Sequence, residues 1–299
     1  MRKLLRRLGI ILLGLIVLIV VVGAVAYIIG EGKLNKVYTI PAQSISIPTD
    51  QVSILEGKRL ATVWVCTDCH TENLSGRLLA DNPMIGTIYT ANLTPGGELA
   101  KWSDSDVATA IRHGVSPDGK ALIGMPSNDY FAMNDADVSK IIAFVRSVPA
   151  VDNKTPRPTI TTSGKILIGL GLLPPQGLAA AYIDHNAAIS RPTANVSAGY
   201  GKYLATTCTG CHNAAFSGGP IPFAAPDMPA AANLTPGGDL AKWSDSDFIK
   251  FFHTGITPEG KQIDSKHMPW KSLGQMTEDE LKALFLYLKS LPAKATGKQ

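Results

Sequence analysis

Asn92-Leu93-Thr94-Pro95-Gly96-Gly97 recurs further along the chain as Asn233-Leu234-Thr235-Pro236-Gly237-Gly238, and Lys101-Trp102-Ser103-Asp104-Ser105-Asp106 recurs as Lys242-Trp243-Ser244-Asp245-Ser246-Asp247. Working outward from these matches, Cys66-Thr67-Asp68-Cys69-His70 pairs with Cys208-Thr209-Gly210-Cys211-His212, Pro117 to Lys120 with Pro258 to Lys261, and Met125-Pro126 with Met268-Pro269. The order is kept at an offset of 141 to 143 residues. A repeat this long, with its own Cys pair in each copy, is a duplicated domain and not a solenoid. The units are expected at 53–150 and 193–299, joined by a linker at 151–192.

Each unit reads as helices separated by long loops. Ser103 with Asp106, and Ser244 with Asp247, have capping-box spacing ahead of Val107 to His113 and Phe248 to Thr254, with Gly114 and Gly255 as stops. Asn134 with Asp137, and Thr277 with Glu280, open last helices that end before Pro149 and Pro292. Helices from Val52 to Val65 and from Ala198 to Thr207 precede the Cys pairs. Almost nothing alternates with period 2, so the expected fold class is all-α. In the linker, Ile166 to Leu173 is apolar and closed by Pro174-Pro175. It is too short to span a bilayer, so it is expected to pack between the units or against a membrane surface.

The run from Gly9 to Gly30 is uncharged and rich in Leu, Ile and Val; as a helix it would be about 33 Å long, enough to cross a hydrocarbon core. Arg2, Lys3, Arg6 and Arg7 precede it, which places residues 1–8 in the cytoplasm, 9–30 in the membrane, and everything from the 31–52 linker onward outside. A signal peptide cleaved after Ala24-Val25-Ala26 is the alternative, but the apolar run exceeds the ordinary signal core and favours an uncleaved anchor. The 28 basic residues outnumber the 24 acidic ones only through those four N-terminal cations. The exported body is electrically balanced, so no basic stripe is available for nucleic acid. Charged residues are 17% of the chain, and the mean hydropathy is +0.11, in keeping with an apolar segment set aside from water.

Cys-x-x-Cys-His is an attachment signature for c-type haem, with two thiols bonding the porphyrin and the histidine lying under the ring as an iron ligand. A zinc ribbon would need a second Cys pair in each unit, and a thioredoxin-like redox pair would need a βαβ setting. Two complete signatures at matching positions therefore predict two covalently bound haem c groups on Cys66, Cys69 and His70 and on Cys208, Cys211 and His212.

With these motifs in order, the sequence resembles class I cytochrome c domains, and specifically membrane-anchored dihaem c-type cytochromes similar to the cytochrome subunits of periplasmic sugar, gluconate and alcohol dehydrogenases. The resemblance covers nearly all of residues 53–292: Gly-x-x-Leu-Ala (Gly57 to Ala61; Gly201 to Ala205), Asn-Leu-Thr-Pro, Trp-Ser-x-x-Asp, Pro-x-Gly-Lys and Met-Pro. It implies two tandem class I cytochrome c domains after one transmembrane helix. It also implies that Gly57 and Gly201 meet Phe144 and Tyr287 where the first and last helices of each unit cross.

Three methionine pairs compete for the other axial position of each iron. Met133 and Met276 precede N-caps, where they can staple onto Val138 and Leu281. Met84 and Met228, 14 and 16 residues past their histidines, have packing as their ordinary role. Met125 and Met268 lie 55 and 56 residues past theirs, each before a proline in the loop ahead of the last helix, where the family places its axial methionine. These two are the expected ligands. Trp102 and Trp243 are expected to cover the haem with their indole N–H groups turned toward a propionate, and His185 is expected to be a solvated linker residue.

A six-coordinate haem has no open site, so the expected function is a relay of single electrons between a membrane or periplasmic donor and a terminal acceptor, without enzyme activity of its own. Redox proteins, and a dehydrogenase complex, are the expected partners at the periplasmic face of a bacterial cytoplasmic membrane. A dihaem peroxidase with one five-coordinate haem, and a haem-bearing anchor subunit of a dehydrogenase complex, are the alternatives.

Overall fold

In the computed structural model the described residues are 2–187, 191–221 and 227–298. Met1 and Gln299, and the stretches 188–190 and 222–226, which fall in the expected tail, linker and second unit, lie outside the described residues. The chain opens with α1 (Arg2–Asn35), a helix long and apolar enough to cross a membrane, whose residues from Gly9 to Val22 are all exposed.

The first unit contains α2 (Gln51–Val63), α3 (Cys66–His70), a hairpin of β1 (Leu78–Asn82) and β2 (Gly86–Tyr89), α4 (Asp104–His113), α5 (Ser127–Tyr130) and α6 (Asp135–Ser147). Next come β3 (Thr159–Ile160) and α7 (Thr162–Gly169) of the linker. The second unit contains α8 (Ala198–Leu204), α9 (Thr209–His212), α10 (Asp245–Thr254), α11 (Trp270–Leu273) and α12 (Glu278–Ser290). Helix starts follow the capping chemistry. Ser103, Ser244 and Thr277 form reciprocal capping boxes with Asp106, Asp247 and Glu280. Gly114 and Gly255 end α4 and α10 in the left-handed region, at φ 64° and 69°.

The chain is helix-rich, yet the all-α expectation needs a correction. β1, β2 and β3 form an antiparallel sheet in that order, with Asp81 opposite Thr87 and Gly86 opposite Ile160. The hairpin left no alternating signal because every residue of β1 is exposed, so no face had to be apolar. In the second unit the matching region keeps only one bridge among the described residues, between Gly219 and Ala231.

The core forms where the first and last helices of each unit cross. A Cβ on Gly57 would overlap the Lys140 carbonyl oxygen and press on Phe144, and one on Gly201 would overlap that of Ala283 and press on Tyr287. Glycine lets the helix backbones touch, as the resemblance implied. Met133 and Met276 are buried beside Val138 and Leu281, in the staple positions. One continuous apolar cluster runs through both units, from Leu60 and Ile142 to Leu204 and Leu284.

The apolar segment of the linker does not separate the units. Instead α7 lies antiparallel on the C-terminal end of α1, with Gly30 against the Lys165 carbonyl and Gly169 against the Ala26 carbonyl. The 31–52 segment is also held on the first unit, by a bridge between Val37 and Lys120 and by Gln43, whose backbone N–H donates to Ser105 Oγ at 2.8 Å.

Candidate functional site: the paired Cys-x-x-Cys-His segments

Each Cys-x-x-Cys-His segment is a short helix ended by a residue at positive φ. Thr71 and Asn213, directly after the histidines, lie at φ 72° and 58°, and Leu74 and Phe216, three residues on, at 59° and 58°. Val65, ahead of Cys66, is also left-handed at 54°, an uncommon state for a β-branched residue. Strain of this kind at equivalent places in both copies marks a loop whose path is dictated by what it must hold. None of the four cysteines is in a disulfide; Cys208 is buried, Cys66 and Cys69 are half-buried, and Cys211 is exposed. Burial pushes the thiols of Cys66 and Cys208 up to about 12.

The two histidines are oriented alike. His70 Nδ1 lies 2.8 Å from the Ala91 carbonyl and His212 Nδ1 lies 2.7 Å from that of Ala232. With Nδ1–H donating to a carbonyl, Nε2 keeps its lone pair for a metal, and the ring cannot rotate away. Burial lowers the pKa of both rings, so they stay neutral and able to ligate.

These carbonyls explain the Asn-Leu-Thr-Pro repeat, whose role could not be read from sequence. Asn92 Oδ1 accepts from the backbone and hydroxyl of Thr94 at 3.0 and 2.7 Å, while its amide donates to the carbonyls of Val151 and Asn153. Asn233 makes the same turn with Thr235 and donates to the Lys294 carbonyl at 2.8 Å. The residue next to Ala91 or Ala232 is thereby pinned to the chain leaving the last helix. Ordinary turn signals gave no hint of this, since the group that touches the histidine is a backbone carbonyl.

Met125 and Met268 are half-buried against the apolar cluster that also receives Cys66 and contains Cys208. Each stands just before a short helix: Ser127 N–H donates to the Met125 carbonyl and Trp270 N–H to that of Met268. Met84, by contrast, is 62% exposed at the hairpin tip and does not pack as expected, because the turn there points away from the core. Met228 is half-buried.

A haem fits these residues on several grounds. Two thiols placed to bond a porphyrin, an imidazole fixed with Nε2 free and a thioether able to meet iron are the groups that a c-type haem needs. The indole N–H of Trp243 is buried without a partner among the described residues, which leaves a donor for a propionate, and so is that of Trp64. Trp102 is half-buried and packs on the same core.

The two sites are turned toward each other. Thr209, in the second Cys segment, donates to Asp129 of α5 at 3.3 Å, and Ser272 of α11 donates to Asp68, in the first Cys segment, at 2.8 Å. Each attachment segment thus rests on the other unit's helix that follows Met-Pro. Trp64 fills the space between, edge-on to Tyr130 and Tyr203 with ring centroids 6.1 and 5.0 Å away.

His185 is not the solvated residue the linker suggested. Its Nδ1 is 3.0 Å from His113 Nδ1, its Nε2 is 3.0 Å from the Ala180 carbonyl, and its ring meets Tyr38 edge-on. Both histidines line a cavity of about 210 Å³ with Phe131 and Arg191. The linker folds back over the first unit, which sequence spacing could not reveal.

Residues 196–292 match the family model for cytochrome c. The chain is 28% identical over 286 residues to the fructose dehydrogenase cytochrome subunit of Gluconobacter japonicus, covering 87% of this chain and 57% of that one. It is 27% identical over 278 residues to the cytochrome c subunit of the quinone alcohol dehydrogenase of Gluconobacter oxydans, covering 83% and 57%. A dihaem c-type cytochrome of Cereibacter sphaeroides is 24% identical over 273 residues, covering 79% and 85%. The chain therefore spans 57% of the length of each of these two dehydrogenase subunits. Residues 196–292 form a cytochrome c domain, which binds haem c covalently, in a chain homologous to cytochrome subunits of fructose and alcohol dehydrogenases and to a dihaem cytochrome.

Proposed function

We propose that this chain is a dihaem electron relay, anchored in a bacterial cytoplasmic membrane by residues 9–30, with tandem cytochrome c domains at 53–150 and 193–299 on the periplasmic side. Cys66 and Cys69 would hold one haem and Cys208 and Cys211 the other. His70 with Met125, and His212 with Met268, would supply the axial ligands. Bound there, haem supplies one-electron chemistry at an iron whose potential a thioether raises. The protein's own work is to orient the imidazoles through the Ala91 and Ala232 carbonyls, to keep the thioether loops against an apolar core, and to exclude water with Trp102 and Trp243. With His70 and Met125, and His212 and Met268, holding the irons, no position would be left for a substrate.

The observation that carries the relay reading is the reciprocal seating of each Cys segment on the other unit's Met-Pro helix through Asp129–Thr209 and Asp68–Ser272. Two redox groups held across one shared core would exchange electrons without rearrangement of the chain. A dehydrogenase is the proposed donor, on the strength of the named relatives, with the anchor holding the relay near it at high effective concentration.

Intact mass tests the reading. The mature protein should exceed its polypeptide by two haems that survive acid-acetone extraction, and Cys66→Ala with Cys69→Ala should remove one. A single haem in the wild type, or a high-spin form with rapid peroxide turnover, overturns it.

A further inference from the structure

The linker carries no charged residue from Ile166 to Ile183, and α7 within it lies antiparallel on α1. Lys165 is level with Gly30 and Gly169 with Ala26, so the residues after Gly169 continue toward the apolar middle of α1. They turn there: Gly171 adopts φ 69°, and Pro174-Pro175 leads the chain back.

The turn hides much of its own polarity. The N–H groups of Leu170, Gly171 and Leu172 return to the carbonyls of Ile166, Ile168 and Leu167 at 2.9, 3.1 and 3.0 Å, a Schellman closure. The Ile168 carbonyl also accepts from Lys33 Nζ at 3.2 Å. Pro174 and Pro175 have no N–H to leave open. Its side chains do the opposite of hiding: Leu170 and Leu172 are 46% and 53% exposed. A turn that closes three of its N–H groups internally and bares two leucines suits hydrocarbon, where an unpaired backbone group is costly and an exposed leucine is not. Above it stand groups suited to the headgroup layer. Lys165 pairs with Glu31 at 2.6 Å and stands over the Tyr27 ring, and Lys33 stands over Tyr182.

We propose that the turn from Leu170 to Pro175 lies within the bilayer beside α1, in the leaflet on the haem-domain side, as a second and re-entrant membrane contact. This rests on the reading of α1 as a membrane anchor. Continuity with that helix identifies the occupant of the leucine face as lipid. With two insertions joined at the Gly30–Gly169 crossing, the units sit at a set height and tilt on the membrane and do not swing on a flexible tether.

Substituted cysteines in the full-length, haem-loaded protein, reconstituted alone in liposomes, test this, because the native cysteines would be occupied by haem. A membrane-impermeant maleimide needs the thiolate, which hydrocarbon suppresses, so Leu172→Cys and Leu170→Cys should label more than about tenfold slower than the exposed control Val52→Cys. Val17→Cys, in the middle of α1, should be equally slow. If Leu172→Cys and Leu170→Cys label as fast as Val52→Cys while Val17→Cys stays protected, the anchor stands and the re-entrant turn is refuted. Protection in native membranes but not in liposomes refutes it too, and assigns the face to a partner protein. Fast labelling of Val17→Cys overturns the anchor itself. The haem absorbance of each variant reports that the fold is retained.

Discussion

Arg59 of α2 grips Glu280 of α12 across the two units, Nη1 to Oε2 at 2.7 Å and Nη2 to Oε1 at 3.0 Å. Its counterpart in the duplicated arrangement is Tyr203 of α8, which donates to Asp137 of α6 at 2.6 Å. In both cases the first helix of one unit reaches the acidic third residue of the other unit's last helix, so the units meet around a pseudo-twofold axis. Glu280 also closes a capping box with Thr277, and Glu56 holds Arg59 from behind.

Breaking that pair should loosen the association of the units. Arg59→Ala leaves Glu280, nearly buried, without its partner and should cost about 1–3 kcal/mol, below the full figure for a buried pair because the guanidinium is partly solvated. Arg59→Ala with Glu280→Ala should cost less than the two single losses added together. Denaturant unfolding of the four proteins in the cycle measures the coupling, and additive losses would show that the pair contributes nothing.

The Asn-Leu-Thr-Pro asparagines should matter to stability and to the histidine at once. Asn92→Ala removes the Thr94 acceptor and the donors to the Val151 and Asn153 carbonyls and should cost about 2–3 kcal/mol, against about 1–2 kcal/mol for Asn233→Ala, which removes the Thr235 acceptor and one donor, to the Lys294 carbonyl. Each should also broaden the low-spin electron paramagnetic signal of its own haem, since the carbonyl that fixes the imidazole becomes mobile. A stability loss with unaltered spectra would separate the turn from the ligand.

Met125→Ala and Met268→Ala should each remove about half of the sulfur-to-iron charge-transfer absorbance and lower the potential of one haem, leaving the other nearly unchanged. Met133→Ala and Met276→Ala should leave that absorbance intact and reduce stability through lost staple packing. The reverse pattern would reassign the ligands.

The unit interface should also give the protein a pH-dependent stability. Burial pushes the Asp129 carboxyl up to about 7, so folding favours its protonated form. Between its ordinary value and about 7 the folded state binds more protons than the unfolded one; the benefit is complete at low pH and is lost as pH rises through neutrality. Asp129→Asn should flatten that decline. His113, held down to about 4 by burial and then by His185, acts in the opposite sense: its contribution is present above its ordinary value and lost as pH falls toward 4. His113→Asn should flatten the acid limb alone. Unfolding free energies at a series of pH values check both signs.

The residues proposed to carry the chemistry were picked out by local pattern alone. A capping box spans three residues, as Thr277 and Glu280 do, an attachment signature spans five, and an apolar run declares its own length. Gly57 and Gly201 belonged to a recognisable string, and their crossings with Phe144 and Tyr287 followed from it. What needed the tertiary structure is of a different kind. The Ala91 and Ala232 carbonyls that orient the histidines belong to the backbone, which every residue shares, so no side-chain pattern announces them. The exposed hairpin from Leu78 to Tyr89 had no buried face to impose alternation. Arg59 and Glu280 are 221 residues apart, and His113 and His185 are 72 apart. Such pairs form only after two cores close and the linker folds back, and that closure is set by the fit of whole surfaces, which no local run of sequence encodes.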